Sequence, residues 1–349
     1  MNGRERIEAI VKGTPVDKVA VSAWMHVPAV DRDPESFAEA MERFNDENDW
    51  DLVKVQLNAF YITEAYGADI EFFKNPPLKF QKVKKLAEIK KYPINTIEDL
   101  RALRPITVEE SPVFQRDIDS VSRIIKYYHG TKVVIPTLFS AYYWLLDMTN
   151  GKAETVRKFI KEDKEAVLQA IKVLDQVNRN VADAYIKAGV DGFFFATPYT
   201  SPLTATEEEY EEFNRAFDIP FLTDINKKTW FNMLHIHGNA DLYIEKLAQY
   251  PVQSINWENV SVGIGAERLT SAAKLRSLTD KVLVGGTDQF HDYYGKKEDV
   301  EKTLKSRLDT MLSEVEDKRF IFGAGCSLPL DIPAENIALL RKVVDETFA

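Results

Sequence analysis

The stretch FNMLHIHGNADLYIEKLAQYPVQSINW, residues 231–257, contains a complete strand–helix–strand unit. Short apolar runs at Phe231–Ile236 and Gln253–Trp257 predict two strands, and the amphipathic segment Ala240–Gln249 predicts a helix between them. Two consecutive strands joined by a helix normally lie parallel in one sheet. The stretch therefore indicates an α/β fold built on a parallel sheet.

The same alternation extends over the rest of the chain. Eight strands in all, with no Gly-rich phosphate-binding turn after the first, favour a closed (β/α)8 TIM barrel. An open doubly wound sheet fits the individual strands equally well, so the strand count and the missing turn decide between the two. The other predicted strands are Val19–Trp24, Asp51–Gln56, Lys132–Leu138, Gly192–Thr197, Val282–Gly286 and Arg319–Ala324, and the other predicted helices include Pro34–Asn48, Ala266–Leu278, Lys297–Ser313 and Pro333–Phe348.

Two segments are longer than a minimal barrel unit requires. One runs from about Tyr61 to Gly130, and the other is a helical region, Lys152–Lys187, that is interrupted near Lys161–Asp163. Because the chain has no internal repeat, we interpret them as N-terminal and mid-chain helical insertions in one barrel domain, residues 1–349. The first insertion is rich in lysine and proline, at Lys74, Pro76, Pro77, Lys79, Lys82, Lys84 and Lys85.

The composition of the 349 residues excludes several classes of protein. With 45 basic and 55 acidic residues the net charge is −10, which argues against a nucleic-acid partner. The 11% aromatic content argues against disorder, and the single cysteine, Cys326, excludes a disulfide scaffold and is typical of a reducing compartment. Met1–Val11 lacks the apolar core of a signal peptide, and Val133–Met148 is too short and polar to span a membrane. We therefore expect a cytoplasmic protein without a membrane partner.

Three potential metal ligands are predicted to meet where the strands end, which is where barrel enzymes build their active sites. His235 and His237 are two residues apart at the end of the fifth strand, so both side chains point to one side. Cys326 follows the eighth strand at the same rim. Two imidazoles and a thiolate can hold zinc and leave a fourth position for substrate. The alternatives are a pair of histidines without metal and a cysteine that is simply a small buried side chain.

Other polar residues are predicted at the same rim. Glu258 follows the sixth strand and Asp288 the seventh, and we interpret them as catalytic carboxylates, although helix capping or ion pairing would explain them equally well. His26 follows the first strand and is a candidate substrate-binding residue. Tyr142 and Tyr143 follow the third strand and could shape an apolar pocket, but packing against the long helix is the simpler explanation.

Several of these segments resemble the uroporphyrinogen decarboxylase superfamily. The resemblance is carried by Leu234–Gly238, Gly285–Asp288, Gly323–Pro329 and Ile332–Ile337, and it extends over nearly the whole chain. It is strongest to the branch of cobalamin-dependent methyltransferases that make methyl-coenzyme M and related products. The resemblance implies a (β/α)8 barrel, in agreement with the strand count, and a homodimer.

Individual positions separate the two branches of this superfamily. The decarboxylases carry an Arg-Gln-Ala-Gly-Arg segment after the first strand, whereas Met25–Ala29 contains no arginine. Their key acidic residue lies nine positions before a glycine that matches Gly67, and Asn58 occupies that position here. Because asparagine cannot carry the negative charge, the resemblance argues against uroporphyrinogen as substrate and leaves Asn58 as a candidate substrate-binding residue.

The methyltransferase branch binds zinc through a His-x-Cys motif and a distant cysteine. By resemblance, His235 matches the histidine, His237 replaces the first cysteine and Cys326 matches the second. The replacement keeps a zinc ligand but removes one negative charge, which makes a bound thiolate less electron-rich. The resemblance thus implies Zn²⁺ as cofactor, and methylcobalamin that is supplied by a separate corrinoid protein.

The sequence leaves three functions open. The leading hypothesis is a zinc-dependent methyltransferase that moves a methyl group between a corrinoid protein and a thiol or another small acceptor or donor. Zinc would lower the pKa of an acceptor thiol so that the thiolate attacks the methyl group. The alternatives are a carboxy-lyase of the uroporphyrinogen decarboxylase type and a barrel that binds a small molecule without chemistry.

Overall fold

The computed structural model describes residues 1–73 and 86–349 of the chain. Within them, eight parallel strands form one curled sheet, and two further strands form an antiparallel hairpin. The strands are β1 (Ala20–Val21), β2 (Leu52–Val55), β3 (Asp69–Phe72), β4 (Ala87–Lys91), β5 (Val133–Phe139), β6 (Phe194–Thr197), β7 (Met233–Ile236), β8 (Ser254–Asn256), β9 (Val282–Thr287) and β10 (Phe320–Ala324).

The strand order confirms the predicted barrel. The sheet runs β1-β10-β9-β8-β7-β6-β5-β2, so each barrel strand pairs with the next one along the chain and β1 meets β2 at the seam. The seam has no ladder of strand pairs, but the Ser22 hydroxyl donates to the Leu52 carbonyl at 2.8 Å. The Asp51 amide also donates to the Val21 carbonyl at 2.9 Å. The result is a nearly closed TIM-type barrel.

Helices alternate with the strands, as the sequence predicts. Helix start signals are visible, for example at Asp33, whose carboxylate accepts from the Ser36 amide at 2.9 Å just before Pro34 begins a helix. None of the described helices is both long enough and apolar enough to cross a lipid bilayer. The helices are α1 (Gly3–Lys12), α2 (Pro34–Glu47), α3 (Tyr61–Ala65), α4 (Ile97–Arg101), α5 (Pro112–Tyr128), α6 (Ala141–Met148), α7 (Ala153–Ala188), α8 (Glu207–Glu209), α9 (Ala216–Ile225), α10 (Ile244–Leu247), α11 (Ala272–Arg276), α12 (Lys297–Glu314), α13 (Ala334–Ile337) and α14 (Leu339–Thr347).

The hydrophobic core has two layers that follow the alternation of side chains along each strand. On β5, Val133 and Ile135 belong to the cluster inside the barrel, whereas Val134 belongs to the cluster between the strands and the outer helices. Ile7 and Ile10 of α1 join the inner cluster. Apolar side chains of the strands and of α1 therefore fill the inside of the barrel at its amino-terminal end.

The insertion after β2 contains a hairpin in addition to helices. β3 and β4 pair antiparallel, with Ile70 opposite Ile89, and they pack on Phe60. The sequence analysis did not predict these strands, because they are short and bury only one face. The lysine- and proline-rich run of this insertion lies outside the described residues; it comprises Lys74, Pro76, Pro77, Lys79, Lys82, Lys84 and Lys85.

The long second insertion is confirmed as a helix with a break. α7 spans Ala153–Ala188, and Asp163 leaves helical geometry with φ −156° and ψ 89°. The Asp163 side chain accepts from the Ala166 amide at 3.1 Å, so it caps the second half of the helix. Boundaries elsewhere differ from those predicted: the segment Ala266–Leu278 divides into a 3₁₀ turn, Ala266–Arg268, and the short helix α11.

Candidate functional site

The carboxyl ends of β7, β8 and β10 bring three polar side chains together. His235 on β7 pairs in register with Asn256 on β8, and Cys326 follows β10 by two residues. The Cys326 Sγ lies 3.7 Å from the His235 Nε2. His235 and Asn256 are buried and Cys326 is half-buried. The structure thus places His235 beside Cys326, although 91 positions separate them.

Asn256 fixes the tautomer of His235, that is, which ring nitrogen carries the proton. Its Nδ2 donates to the carbonyls of Val284 and Ala324, at 3.0 and 3.2 Å, so its Oδ1 must face the His235 Nδ1 at 2.6 Å. An amide oxygen can only accept, so Nδ1 carries the proton and Nε2 presents its lone pair to Cys326. Burial also lowers the pKa of His235 well below its usual value and keeps the ring neutral. This is the form of histidine that binds a metal.

The distances among these side chains fit a tetrahedral zinc ion. Nitrogen and sulfur ligands of one zinc lie roughly 3.5 Å apart, close to the 3.7 Å between His235 Nε2 and Cys326 Sγ. The His237 ring, exposed at the barrel mouth, stands at 90° to the His235 ring with centroids 5.7 Å apart. Two imidazoles on one such ion place their centroids roughly 5 Å apart, so His237 would have to move closer to share an ion with His235.

The third ligand is not pre-assembled. In residues 1–73 and 86–349, no three His, Cys, Asp or Glu side chains converge closely enough to hold a metal ion. His235 and Cys326 already have the spacing of a ligand pair. The donor set is therefore suited to zinc, with two positions in place and His237 as the side chain that must move.

Glu258 influences the ionisation of Cys326. Burial raises the pKa of the Cys326 thiol to about 12, and the nearby Glu258 carboxylate adds to this effect. The pKa of Glu258 is itself raised, chiefly by burial, and its Oε2 accepts from Gln289 at 3.1 Å. A Cβ on Gly325 would lie 2.7 Å from the Glu258 Cα, so glycine is needed for this close approach. Without a cation, Cys326 stays a neutral thiol.

Asp288 lies at the same rim but uses both carboxylate oxygens on nearby loops. Oδ1 accepts from the Phe290 amide at 2.8 Å, and Oδ2 accepts from the Val262 amide at 2.8 Å and from the His291 Nδ1 at 2.9 Å. These contacts brace the loops after β8 and β9. The catalytic role predicted for Asp288 stays a prediction.

A second polar group lines the barrel near β1 and β2. Lys54 donates to the Gln56 Oε1, which leaves the Gln56 Nε2 to donate to the His26 Nε2 at 2.8 Å. All three are buried, and the Lys54 Nζ lies 4.2 Å from the centre of the Phe194 ring. Burial lowers the pKa of Lys54 well below its ordinary value. Burial and the Lys54 charge lower the pKa of His26 to about 3, so His26 is neutral and carries its proton on Nδ1.

Asn58 contacts a carboxylate that the sequence analysis missed. Its Nδ2 donates to the Asp31 Oδ2 at 3.2 Å, and its Oδ1 accepts from the Phe60 amide at 2.9 Å. Asp31 and Asn58 are both buried, and burial raises the pKa of Asp31 to about 7. Lys54 was missed as well, although a lysine inside the apolar strand LVKV is a visible signal. Asp31 sits in a loop and has no such signal.

The two tyrosines pack against other aromatic rings. Tyr142 is buried between Phe213 and Tyr199, with ring centroids 5.9 and 6.0 Å away. Tyr143 is half-buried and stacks on Phe139 at 4.4 Å. The ring contacts given for both tyrosines are with these aromatic side chains, which lie outside the long helix α7, and a role in substrate binding stays a prediction.

Comparison with known proteins places the chain in a family. The structure resembles a methyltransferase from Methanosarcina mazei, with a TM-score of 0.80, 19% identity and 100% coverage of both chains. It also resembles a B12-independent methionine synthase from Shewanella sp. W3-18-1, with a TM-score of 0.54, 13% identity and coverage of 90% and 89%. At these identities the likeness shows a shared fold. No curated protein sequence gives a match. The profile of the uroporphyrinogen decarboxylase (URO-D) family matches residues 6–347, and the chain therefore belongs to this family.

Proposed function

We propose that this protein is a zinc-dependent methyltransferase that moves a methyl group between a corrinoid protein and a small acceptor or donor. One observation carries the proposal: the His235 Nε2 lone pair, set by Asn256, lies 3.7 Å from the only thiol of the chain. The methyltransferase from Methanosarcina mazei, which shares the fold over its whole length, supports the assignment to this branch of the family.

His235, Cys326 and, after it moves closer, His237 are the residues that would hold zinc. When bound, zinc would ionise a substrate thiol or polarise the atom from which a methyl group leaves. Asn256 would keep the His235 Nε2 directed at the ion throughout, since its other hydrogen bonds anchor it to β9 and β10. Cys326 would have to lose its proton to hold the metal, because its thiol is neutral without a cation.

His26, Gln56 and Lys54, near β1 and β2, would bind and orient the substrate. His26 is neutral and has its Nε2 occupied by Gln56, so it offers an Nδ1–H donor. Lys54 holds Gln56 in this orientation by donating a hydrogen bond to its Oε1. In the proposed reaction a corrinoid protein docks over the barrel mouth, so the cofactor reaches the site from a partner.

Metal analysis of the purified protein tests the first step. We expect about one zinc per chain, lost in His235→Ala and in Cys326→Ala because each removes a ligand that is already in place. His291→Ala is the matched control, since His291 is half exposed and bonded to Asp288 instead. A wild-type protein free of zinc, or zinc retained in both ligand variants, would contradict the proposal.

An activity assay separates this proposal from the decarboxylase alternative. The zinc-loaded protein is expected to transfer methyl groups to or from free cobalamin, a reaction that can be followed by the cobalamin absorbance, and a chelator should stop it. Turnover of uroporphyrinogen in the presence of chelator would instead show that the chain has kept the carboxy-lyase chemistry.

A further inference from the structure

Gln289, in the loop after β9, has a buried amide oxygen without a hydrogen-bond partner among the described residues. The side chain is 1% exposed, so bulk water does not reach this oxygen. The Gln289 Nε2 donates to the Glu258 Oε2 at 3.1 Å. Because an ionised carboxylate only accepts hydrogen bonds, it holds the Nε2 end of the amide and leaves the Oε1 end free. A free buried acceptor indicates a donor that belongs to a ligand or to an ordered water.

Gln289 lies in the same part of the rim as Cys326, a proposed zinc ligand. Where β9 and β10 end, the Gly325 amide donates to the Thr287 carbonyl at 3.3 Å, so Gln289 and Cys326 each follow this contact by one or two residues. Glu258 connects the two loops, because it accepts from Gln289 and a Cβ on Gly325 would lie 2.7 Å from its Cα. The Glu258 carboxylate also helps to raise the pKa of the Cys326 thiol. The free oxygen thus belongs to an amide that is bonded to the immediate surroundings of the proposed ligand.

The edge formed by the loops after β8 and β9 offers hydrogen-bond acceptors to a ligand. Glu258 contributes a carboxylate and Gln289 its free amide oxygen. The neighbouring Asp288 carboxylate is already bonded, through both oxygens, to loop amides and to His291. An edge of this kind attracts a group that donates hydrogen bonds and repels an anionic group.

We propose that Gln289 is a substrate-binding residue, and that the small substrate carries a hydroxyl or ammonium group whose hydrogen bond the Gln289 Oε1 accepts. This inference rests on the proposed function, in which the reacting atom of the substrate binds at the zinc site. The donor group anchors the substrate at a second point, so Gln289 selects substrates by what they carry beside the reacting atom. A substrate with a carboxylate or sulfonate at this place meets Glu258 and is rejected.

The burial of Gln289 makes this selection effective. A ligand that lacks the donor covers the amide oxygen and leaves it without any partner. The penalty then adds to the missing hydrogen bond, which is why sites built around a buried polar atom discriminate strongly against ligands that cannot satisfy it. The effect depends on the fixed amide orientation, which the bond to Glu258 supplies.

Thiol binding to the cobalt-substituted protein tests the inference without any turnover. Co²⁺ takes the place of zinc, and an increase in thiolate-to-cobalt absorption reports the binding of a thiol probe. The donor probes are 2-mercaptoethanol and cysteamine, ethanethiol has no donor beside its sulfur, and 2-mercaptoethanesulfonate carries an anion. We expect the wild type to bind the better of the two donor probes about 5- to 50-fold more tightly than ethanethiol, and the sulfonate most weakly. The better probe identifies the donor as hydroxyl or ammonium.

Gln289→Met is the variant that removes the acceptor and keeps the length of the side chain. We expect the advantage of the better donor probe over ethanethiol to fall below about threefold, because the methionine sulfur is a weak acceptor. Using two probes separates the possible roles, since a disturbed Glu258 would change the binding of both alike. The matched control is Gln253→Met at the other end of the barrel, where the Gln253 amide bonds to Asn232 and Asn226. This control should keep the preference of the wild type.

The outcomes are distinguishable. Binding of ethanethiol by the wild type as tight as that of both donor probes would overturn the inference, and so would tight binding of the sulfonate, an unchanged preference in Gln289→Met or a lost preference in Gln253→Met. The wild-type probe series gives a result even if a variant does not fold. Failure of the wild type to take up zinc or Co²⁺ would contradict the proposed function instead, and Gln289→Met should leave the metal content unchanged.

Discussion

At the barrel mouth, burial decides the protonation state of the titratable side chains. Cys326 would be partly ionised near pH 8 in water, but in the protein it is held as a thiol by desolvation and by Glu258. Desolvation also lowers the pKa of His26 and of His235 and keeps both rings neutral. Cys326, His26 and His235 are therefore all uncharged in the absence of a cation.

The reactivity of Cys326 follows from this. In metal-free protein, iodoacetamide should alkylate Cys326 far more slowly at pH 8 than it alkylates a free thiol, because the pKa is raised to about 12 and the thiolate is the reactive form. The rate should keep increasing with pH up to the limit of the folded state. The reaction is clean to follow by mass, since the chain has one cysteine. A rate that levels off near pH 8.5 would contradict the raised pKa.

At the scale of elements, Asn256 connects four neighbouring strands. It lies on β8, donates to β9 and β10, and accepts from His235 on β7. The backbone register pairs Asn256 with His235 on β7 and with Val284 on β9. The hydrogen bonds of the Asn256 side chain add to the backbone ladder and hold these short strands in that register. The contacts of Asn256 with β9 and β10 thus set the orientation of the His235 ring.

Replacing Asn256 with aspartate should weaken zinc binding selectively. Aspartate can still accept from His235 but cannot donate to Val284 and Ala324, so two carbonyls lose their partner and the ligand orientation loosens. Partners of metal ligands of this kind typically contribute 10- to 100-fold in affinity, and a decrease of about that size is expected in a competition titration with a zinc chelator. Asn180→Asp, at a half-buried position on α7, is the matched control. Equal affinity in wild type and Asn256→Asp would contradict the positioning role.

At the scale of the whole molecule, the barrel lacks a ladder of strand pairs between β1 and β2. A network of buried ion pairs lies at this seam instead. Asp51 receives the Val21 amide at 2.7 Å and contacts the guanidinium groups of Arg6 and Arg341. All three charged side chains are buried. The network links α1, the seam and the C-terminal helix α14, so it connects the two ends of the chain.

Asp51→Asn should destabilise the barrel strongly. It leaves two guanidinium groups buried without their central carboxylate, which typically costs about 3–5 kcal/mol in the free energy of unfolding. Asp17→Asn removes the other partner of Arg6, but Asp17 is 42% exposed, so the expected loss is below about 1 kcal/mol. Urea unfolding of the two variants gives the comparison. Equal stability in both would show that the seam does not depend on Asp51.

The sequence by itself determined the barrel and the set of candidate ligands. Strand and helix periods are local, so runs such as Phe231–Ile236 identify their elements without any tertiary information. The spacing of His235 and His237 and their place at a strand end are local too. The break in α7 at Asp163 was visible for the same reason, because an aspartate that caps a helix acts within three residues.

Only the tertiary structure decided which polar groups meet and in what state. Asn256 lies 21 positions from His235, and Asp31 lies 27 positions from Asn58, so these contacts depend on strand register and loop path. Both partners of each contact are residue types that occur anywhere on a surface, and their sequence carries no period that marks them. Burial then sets the ionisation of Cys326, His26 and Asp31, and burial is a property of the closed barrel as a whole.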